Sequence, residues 1–117
     1  MRNCGDCTKC CEKYLSRNIF GKFEENTDCT YVKINEGCTI YEKRPVECVN
    51  FKCGWIVEDE MPDKFKPNKS NVMIRFVDYP RTLIVLELEP DSITPQLLDW
   101  ATNYAIINNY KVRVNKK

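Results

Sequence analysis

The sequence of 117 residues contains no histidine, so the commonest general base is missing. Without histidine, neither a Ser/His/Asp triad nor a Cys/His catalytic arrangement can form. Residues 59–117 also lack a glycine-rich turn, which is the usual mark of a fold that binds a nucleotide-like cofactor. These absences exclude the histidine-dependent hydrolases and leave no cofactor motif in the C-terminal half.

Excess charge and long apolar stretches are missing as well. Lys and Arg together number 18 and Asp and Glu number 17, which gives a net charge of +1. A protein that binds nucleic acid regardless of sequence is expected to be more basic, so we expect no nucleic-acid partner. Apolar runs such as Leu83-Ile84-Val85-Leu86 are far too short to span a bilayer, so we expect no membrane association.

The first residues, Met1-Arg2-Asn3-Cys4, lack the apolar segment of a secretory signal peptide. The chain is therefore expected in the cytoplasm, where thiols stay reduced. In that compartment a pattern of cysteines indicates metal or redox chemistry more often than disulfides.

Cysteine is the residue type that the sequence has in excess. All eight cysteines lie in the first half, at Cys4, Cys7, Cys10, Cys11, Cys29, Cys38, Cys48 and Cys53. Thiolates bind zinc and iron because sulfur is a soft, anionic donor. We therefore expect all eight to bind a metal ion or cluster. The dense stretch from Cys4 to Cys11, which reads C-x2-C-x2-C-C, is expected to anchor the centre.

The spacing and the number of cysteines favour different metals. Cys4, Cys7 and Cys10 match the first three ligands of a bacterial ferredoxin run, which favours an iron–sulfur cluster. Cys11 departs from that run, because it follows Cys10 at once. Adjacent residues tend to point in different directions, so we expect Cys10 and Cys11 to serve different metals or a polynuclear cluster. Eight thiolates would also complete two Cys4 zinc sites, so zinc is the alternative to the cluster.

Three interpretations compete with a metal centre. Cysteine is a common small buried residue and needs no function to be there. A disulfide scaffold is compatible with an even number of cysteines. A paired zinc ribbon requires two C-x2-C knuckles, whereas the second half of the pattern offers only the C-x4-C of Cys48 and Cys53.

The cysteine pattern and its neighbours resemble the CxxCxxCC cysteine-cluster family, a YkgJ-type domain described as zinc- or iron-chelating. The residues that carry the resemblance are Cys4, Cys7, Cys10, Cys11, Cys29, Gly37-Cys38-Thr39-Ile40-Tyr41, Arg44-Pro45, Cys48, Phe51, Cys53 and Trp55. The match covers residues 4–55, and every cysteine finds a counterpart. The resemblance implies a bound metal or iron–sulfur cluster.

The predicted fold is a small α+β protein in three parts. Residues 1–58 form a cysteine-rich metal-binding region with short helices, including one that begins near Pro45 and carries Cys48. Residues 59–71 are expected to be a linker, since they combine prolines and lysines with little apolar content. Residues 72–117 are expected to form a ββαβ layer, packed on the first region as one domain.

The ββαβ prediction follows from periodicity. Apolar residues alternate in 72–77 and again in 83–89, which predicts a hairpin. Glu87 and Glu89 are expected on its solvated face. Thr94-Pro95 predicts a helix N-terminus, and the alternation after Tyr110 predicts a last strand.

Four further residues near the cysteines are open to two interpretations. Arg44 would either neutralise cluster thiolates or form an ordinary salt bridge at a helix start. The aromatic residues Tyr41, Phe51 and Trp55 would either shield the centre from water or form the small apolar core.

The sequence therefore predicts a metal-binding protein, with an iron–sulfur cluster or zinc in a structural, redox or carrier role. Two other classes remain open. One is an enzyme or enzyme accessory that uses the cluster for electron transfer, and the other is a zinc-finger-like interaction module. A protein partner fits each of these roles.

Overall fold

The computed structural model describes residues 4–15, 17–20 and 22–117. Within these ranges, residues 4–52 form one compact unit and residues 53–117 form another. We call them the cysteine unit and the sheet unit. Helices and strands both contribute, which confirms the predicted α+β class. The prediction about a leader concerns residues 1–3, which lie outside the described residues.

The cysteine unit consists of short elements. In chain order they are a 3₁₀ turn (Lys9–Cys11), strands β1 (Arg17–Ile19), β2 (Lys22–Glu24), β3 (Val32–Lys33) and β4 (Gly37–Cys38), a second 3₁₀ turn (Tyr41–Lys43) and helix α1 (Val46–Asn50). Strand β1 pairs antiparallel with β2, and β3 pairs antiparallel with β4. Two small hairpins therefore separate the first cysteine segment from the helix that carries Cys48.

The sheet unit contains the longer elements. They are helix α2 (Gly54–Val57), a 3₁₀ turn (Asp63–Phe65), helix α3 (Pro67–Ser70), strands β5 (Val72–Val77) and β6 (Thr82–Glu87), helix α4 (Pro95–Asn108) and strand β7 (Lys111–Asn115). The three strands form one sheet in the order β5-β6-β7, in which β5 and β6 are antiparallel and β6 and β7 are parallel. The predicted ββαβ order is confirmed.

Helix α4 begins and packs as its sequence predicts. The Oγ1 atom of Thr94 accepts the backbone amide of Leu97 at 3.2 Å, which satisfies one of the donors left over at a helix N-terminus. Leu97, Ala101 and Ala105 are buried, and their spacing of four residues places them on one helical face. This face packs against strands β6 and β7.

Glu87 on strand β6 faces the core, which corrects the orientation expected from the sequence. Leu83, Val85 and Glu87 alternate along its buried face, so the glutamate lies on the core side and not on the solvated face. Its Oε2 atom accepts the amide of Ile93 at 3.3 Å and its Oε1 atom accepts the amide of Lys117 at 3.1 Å. A buried carboxylate needs such donors to offset its loss of hydration.

Residues 59–71, which are expected from the sequence to form a linker, include side chains that are buried in the sheet unit. Met61 is 1% exposed and Phe65 is 6% exposed, so both belong to the core of the sheet unit. The Oγ atom of Ser70 donates to the carbonyl oxygen of Val72 at 3.0 Å, which fixes the entry into β5. Its prolines mark helix starts rather than an extended connection.

Candidate metal centre

Two consecutive turns shape the first cysteine segment. The amide of Cys7 donates to the carbonyl oxygen of Cys4 at 2.9 Å. The amide of Cys11 donates to the carbonyl oxygen of Thr8, also at 2.9 Å. Gly5 lies in the first turn with φ 57°, a left-handed conformation that glycine adopts without steric cost. The C-x2-C-x2-C-C stretch thus folds as a turn followed by a short helical segment.

Cys29 joins this segment through its backbone. Its amide donates to the carbonyl oxygen of Cys11 at 2.7 Å, and its own carbonyl oxygen accepts the amide of Val32 at 3.1 Å. The residue is 7% exposed. A cysteine that is distant in sequence is therefore held beside the end of the first segment.

A hydrogen bond to the Thr8 side chain connects the first cysteine segment to the β3–β4 hairpin. Its side chain is 1% exposed. The Oγ1 atom accepts the backbone amide of Asn35 at 3.1 Å and donates to Oε2 of Glu12 at 2.8 Å. Glu12 also lies 3.5 Å from Nζ of Lys9. Sequence reasoning missed Thr8, because a single threonine between cysteines carries no pattern that signals a buried anchor.

Cys38 lies on the hairpin that Thr8 anchors. It is the second residue of β4 and pairs with Val32 of β3. The preceding Gly37 has φ 134°, and a methyl group added there would lie 3.7 Å from the carbonyl oxygen of Gly5. The hairpin therefore lies close to the turn between Cys4 and Cys7.

The last two cysteines lie on short helices. Cys48 is half-buried on α1, which follows Pro45 as predicted, with the amide of Val49 donating to the Pro45 carbonyl oxygen at 3.0 Å. Cys53 is buried and belongs to the sheet unit. Its carbonyl oxygen accepts the amide of Ile56 at 3.1 Å at the start of α2. Seven of the eight cysteines thus belong to the cysteine unit and one to the sheet unit.

The cysteine side chains are less closely grouped than the backbone segments that carry them. All eight cysteines are described and are thiols, not disulfides. The sulfurs of Cys10 and Cys11 lie 3.9 Å apart. Among the described residues, no group of three or more Cys, Asp or Glu side chains has the arrangement needed to hold a metal ion. A backbone hydrogen bond joins the segments of Cys11 and Cys29, and the Thr8 side chain joins the first segment to the hairpin that carries Cys38. One close thiol pair, Cys10 and Cys11, lies in these segments.

The residues expected near the centre differ in their contacts and in their burial. Arg44 donates from Nε to the carbonyl oxygen of Tyr41 at 2.8 Å and lies over the Tyr41 ring, 3.9 Å from its centroid. Tyr41 itself is exposed and Phe51 is half-buried, whereas Trp55 is buried in the sheet unit. Of the three aromatic residues, Trp55 alone is fully part of a core.

No protein-family model matches this chain, and no curated protein or solved structure is detectably similar to it. In the part of the chain that the structure describes, no helix is both long enough and apolar enough to cross a membrane. The argument for a metal centre therefore depends on the residues of this chain.

Proposed function

We propose that this chain binds metal through its cysteines, as an iron–sulfur cluster or as zinc, in a structural, redox or carrier role. The observation that carries the proposal is the hydrogen bonding between cysteine segments, through the backbone of Cys29 and through the side chain of Thr8. Cys29 is bonded to Cys11, and Thr8 is bonded to Asn35 in the hairpin that carries Cys38. These contacts bring thiol-bearing segments together.

The thin core of the cysteine unit supports the same proposal. Among its described side chains, the buried ones belong to Thr8, Glu12, Cys29 and Pro45. None of these is a large aliphatic or aromatic residue, so apolar burial contributes little among the side chains that the structure describes in this unit. Small units of this kind commonly depend on a metal or on disulfides. Metal binding supplies folding free energy directly, because the ligands are assembled only in the folded state.

The donor set fits both candidate metals. Cysteine thiolate is the common ligand of structural zinc and of iron–sulfur clusters, and a chain without histidine can use either. The residues that would hold the metal are the eight cysteines. A cluster would supply one-electron redox chemistry, whereas zinc would supply structural stability without redox chemistry.

Family and location are parts of the same proposal. Membership of the CxxCxxCC cysteine-cluster family rests on residues 4–55. We include a cytoplasmic location in this proposal, because thiols stay reduced and available for metal in that compartment.

Metal analysis of protein purified without oxygen tests the proposal. An iron–sulfur cluster predicts a brown protein that contains iron and acid-labile sulfide in similar amounts. Zinc predicts a colourless protein with about two ions per chain, the number that eight thiolates fill as Cys4 sites. Purified and reconstituted protein that holds neither metal would overturn the proposal.

Two variants separate specific binding from adventitious binding. Cys7→Ser removes a thiolate from the first turn and should lose the metal of a complete site. Thr30→Ser changes an exposed residue of the same unit and keeps its hydroxyl, so it should retain all of the metal. Equal retention by the two variants would mean that the metal binds surface thiols by chance.

A further inference from the structure

The side chains of Cys10 and Cys11 point in the same direction. Their sulfurs lie 3.9 Å apart, and both residues are half-buried. The sequence predicts the opposite, because adjacent side chains usually diverge. The 3₁₀ turn over Lys9–Cys11, closed by the bond from the Cys11 amide to the Thr8 carbonyl oxygen, accommodates the parallel arrangement.

The separation of these sulfurs matches two ligands of one ion. A zinc–sulfur bond is about 2.3 Å long, and tetrahedral geometry then places two sulfurs on one ion about 3.8 Å apart. The observed 3.9 Å is within about 0.1 Å of that value. A disulfide, by contrast, would need the sulfurs at about 2.05 Å. The two thiols therefore lie at a separation that suits both a hydrogen bond between them and two ligands of one ion, and that is too long for a covalent bond.

The same geometry distinguishes between cluster types. In a [4Fe–4S] cluster held by four cysteines, each iron takes one thiolate, whereas each iron of a [2Fe–2S] cluster takes two. Two adjacent cysteines on one ion are thus compatible with a mononuclear tetrahedral site or a two-iron cluster, but not with a shared cubane.

We propose that Cys10 and Cys11 bind the same metal ion, as two neighbouring ligands of one tetrahedral centre. This proposal rests on the proposed metal-binding function and specifies which thiolates share an ion. It replaces the expectation that the two residues serve different metals. The backbone bond between Cys29 and Cys11 places Cys29 in a neighbouring segment from which a further thiolate can join them.

Cadmium-113 substitution tests the shared ion directly. Reduced, metal-free protein is loaded with ¹¹³Cd²⁺, a soft divalent ion that thiolates bind as they bind zinc. The β-protons of Cys10 and Cys11 should then both correlate with one common ¹¹³Cd resonance in a ¹H–¹¹³Cd spectrum of the wild-type chain. Correlations to separate cadmium resonances, with none in common, would overturn the proposal. Assignment by triple-resonance methods avoids any dependence on a variant that fails to fold.

Stoichiometry gives a second readout. Cys10→Ser, Cys11→Ser and the double variant should all lose the same amount of cadmium, because the three changes destroy one site. A double variant that loses twice as much as either single variant would mean two separate ions. Thr30→Ser is the matched control and should retain the wild-type amount.

These results also separate this proposal from the broader one. If the wild-type chain binds no cadmium, zinc or iron, both proposals fail. If it binds metal but Cys10 and Cys11 correlate with different ions, the metal-binding function stands and the shared site alone is wrong.

Discussion

The two units of this chain differ in what they bury. The sheet unit buries a large set of apolar side chains, namely Trp55, Ile56, Met61, Phe65, Val72, Met73, Ile74, Leu83, Val85, Leu88, Leu97, Ala101 and Ala105. Among the described residues of the cysteine unit, by contrast, no large apolar side chain is buried, and Phe20, Phe23, Ile34, Val46 and Val49 are exposed. One chain therefore combines a region stabilised by apolar burial with a region that buries few apolar groups and holds seven of the eight cysteines.

This contrast suggests that the two units depend on different interactions. Burial of apolar surface stabilises by about 25 cal/mol per Å², and the sheet unit uses this term throughout its core. In the cysteine unit the described contacts include backbone hydrogen bonds and a buried Thr8–Glu12 hydrogen bond, each with a modest net contribution of about 1 kcal/mol. Changes that remove metal, core volume or single hydrogen bonds should therefore affect the two units unequally.

Removal of metal is expected to have the largest effect. If thiolate–metal bonds stabilise the cysteine unit, a strong chelator should abolish amide-exchange protection across residues 4–52 and leave the sheet unit folded. Amide-exchange protection of strands β5, β6 and β7 should change little, because these strands carry no cysteine and pack on an apolar core. Unchanged exchange protection in the cysteine unit after complete metal removal would contradict this view.

A matched pair of isoleucines should give the next largest difference. Ile74 is 2% exposed on β5 and Ile34 is 41% exposed in the cysteine unit. Ile74→Ala should lower the free energy of unfolding by about 2–5 kcal/mol, because it leaves a cavity in a packed core. Ile34→Ala should change it by less than about 0.5 kcal/mol. Denaturant titrations of both variants check this, and equal losses would mean that Ile34 belongs to an apolar core.

Gly54 should tolerate no side chain. A methyl group there would lie 2.8 Å from the carbonyl oxygen of Ile74 and 2.9 Å from the Phe76 ring, because α2 packs closely on β5. Gly54→Ala should therefore destabilise the sheet unit by about 1–3 kcal/mol through overpacking. Thermal unfolding measures the loss, and Gly54→Ser should lower the melting temperature at least as much. A wild-type melting temperature in both variants would show that α2 can shift away from the sheet at no cost.

The Tyr104–Glu58 hydrogen bond should have the smallest effect, with a distinctive pH dependence. The Tyr104 hydroxyl donates to Oε2 of Glu58 at 2.6 Å. Burial, together with this carboxylate, raises the pKa of Tyr104 above its ordinary value. The bond therefore contributes fully below about pH 10, the ordinary pKa of tyrosine, and its contribution declines as the pH rises above that value.

Tyr104→Phe should cost about 1 kcal/mol at neutral pH and should remove part of the stability loss above about pH 10. Tyr79→Phe is the matched control, because Tyr79 is 100% exposed and should alter neither quantity. Denaturant titrations at neutral and alkaline pH measure both. Identical pH profiles for wild type and Tyr104→Phe would mean that the bond does not persist in solution.

Local patterns in the sequence were enough to predict most elements of the sheet unit. Alternation of apolar residues predicts β5 at 72–77, where the strand is found, because a strand with one buried face has a period of two. Thr94-Pro95 predicts the start of α4, because a capping side chain and a fixed φ act on the nearest backbone. These signals depend on neighbours within a few residues, so no tertiary information is needed to interpret them.

The candidate centre was predictable only in part. The C-x2-C spacing predicts the turn from Cys4 to Cys7, which is local. The attachment of Cys29 to Cys11 and of Thr8 to Asn35 is not local, since each bond joins segments that are far apart in the chain. The separation of the Cys10 and Cys11 sulfurs depends on the 3₁₀ turn over Lys9–Cys11, which the spacing of the cysteines alone does not specify.

The sequence by itself determined the α+β class, the order of the strands and the long helix, and the concentration of thiols in the first half. Tertiary structure decided which polar and apolar groups are buried. Glu87 is in the core because the amides of Ile93 and of the distant Lys117 satisfy its carboxylate. Met61 and Phe65 are buried although the surrounding segment is rich in proline and lysine. Burial of a residue depends on the hydrogen-bond partners and packing contacts that other parts of the chain place around it. Composition and periodicity do not specify those contacts.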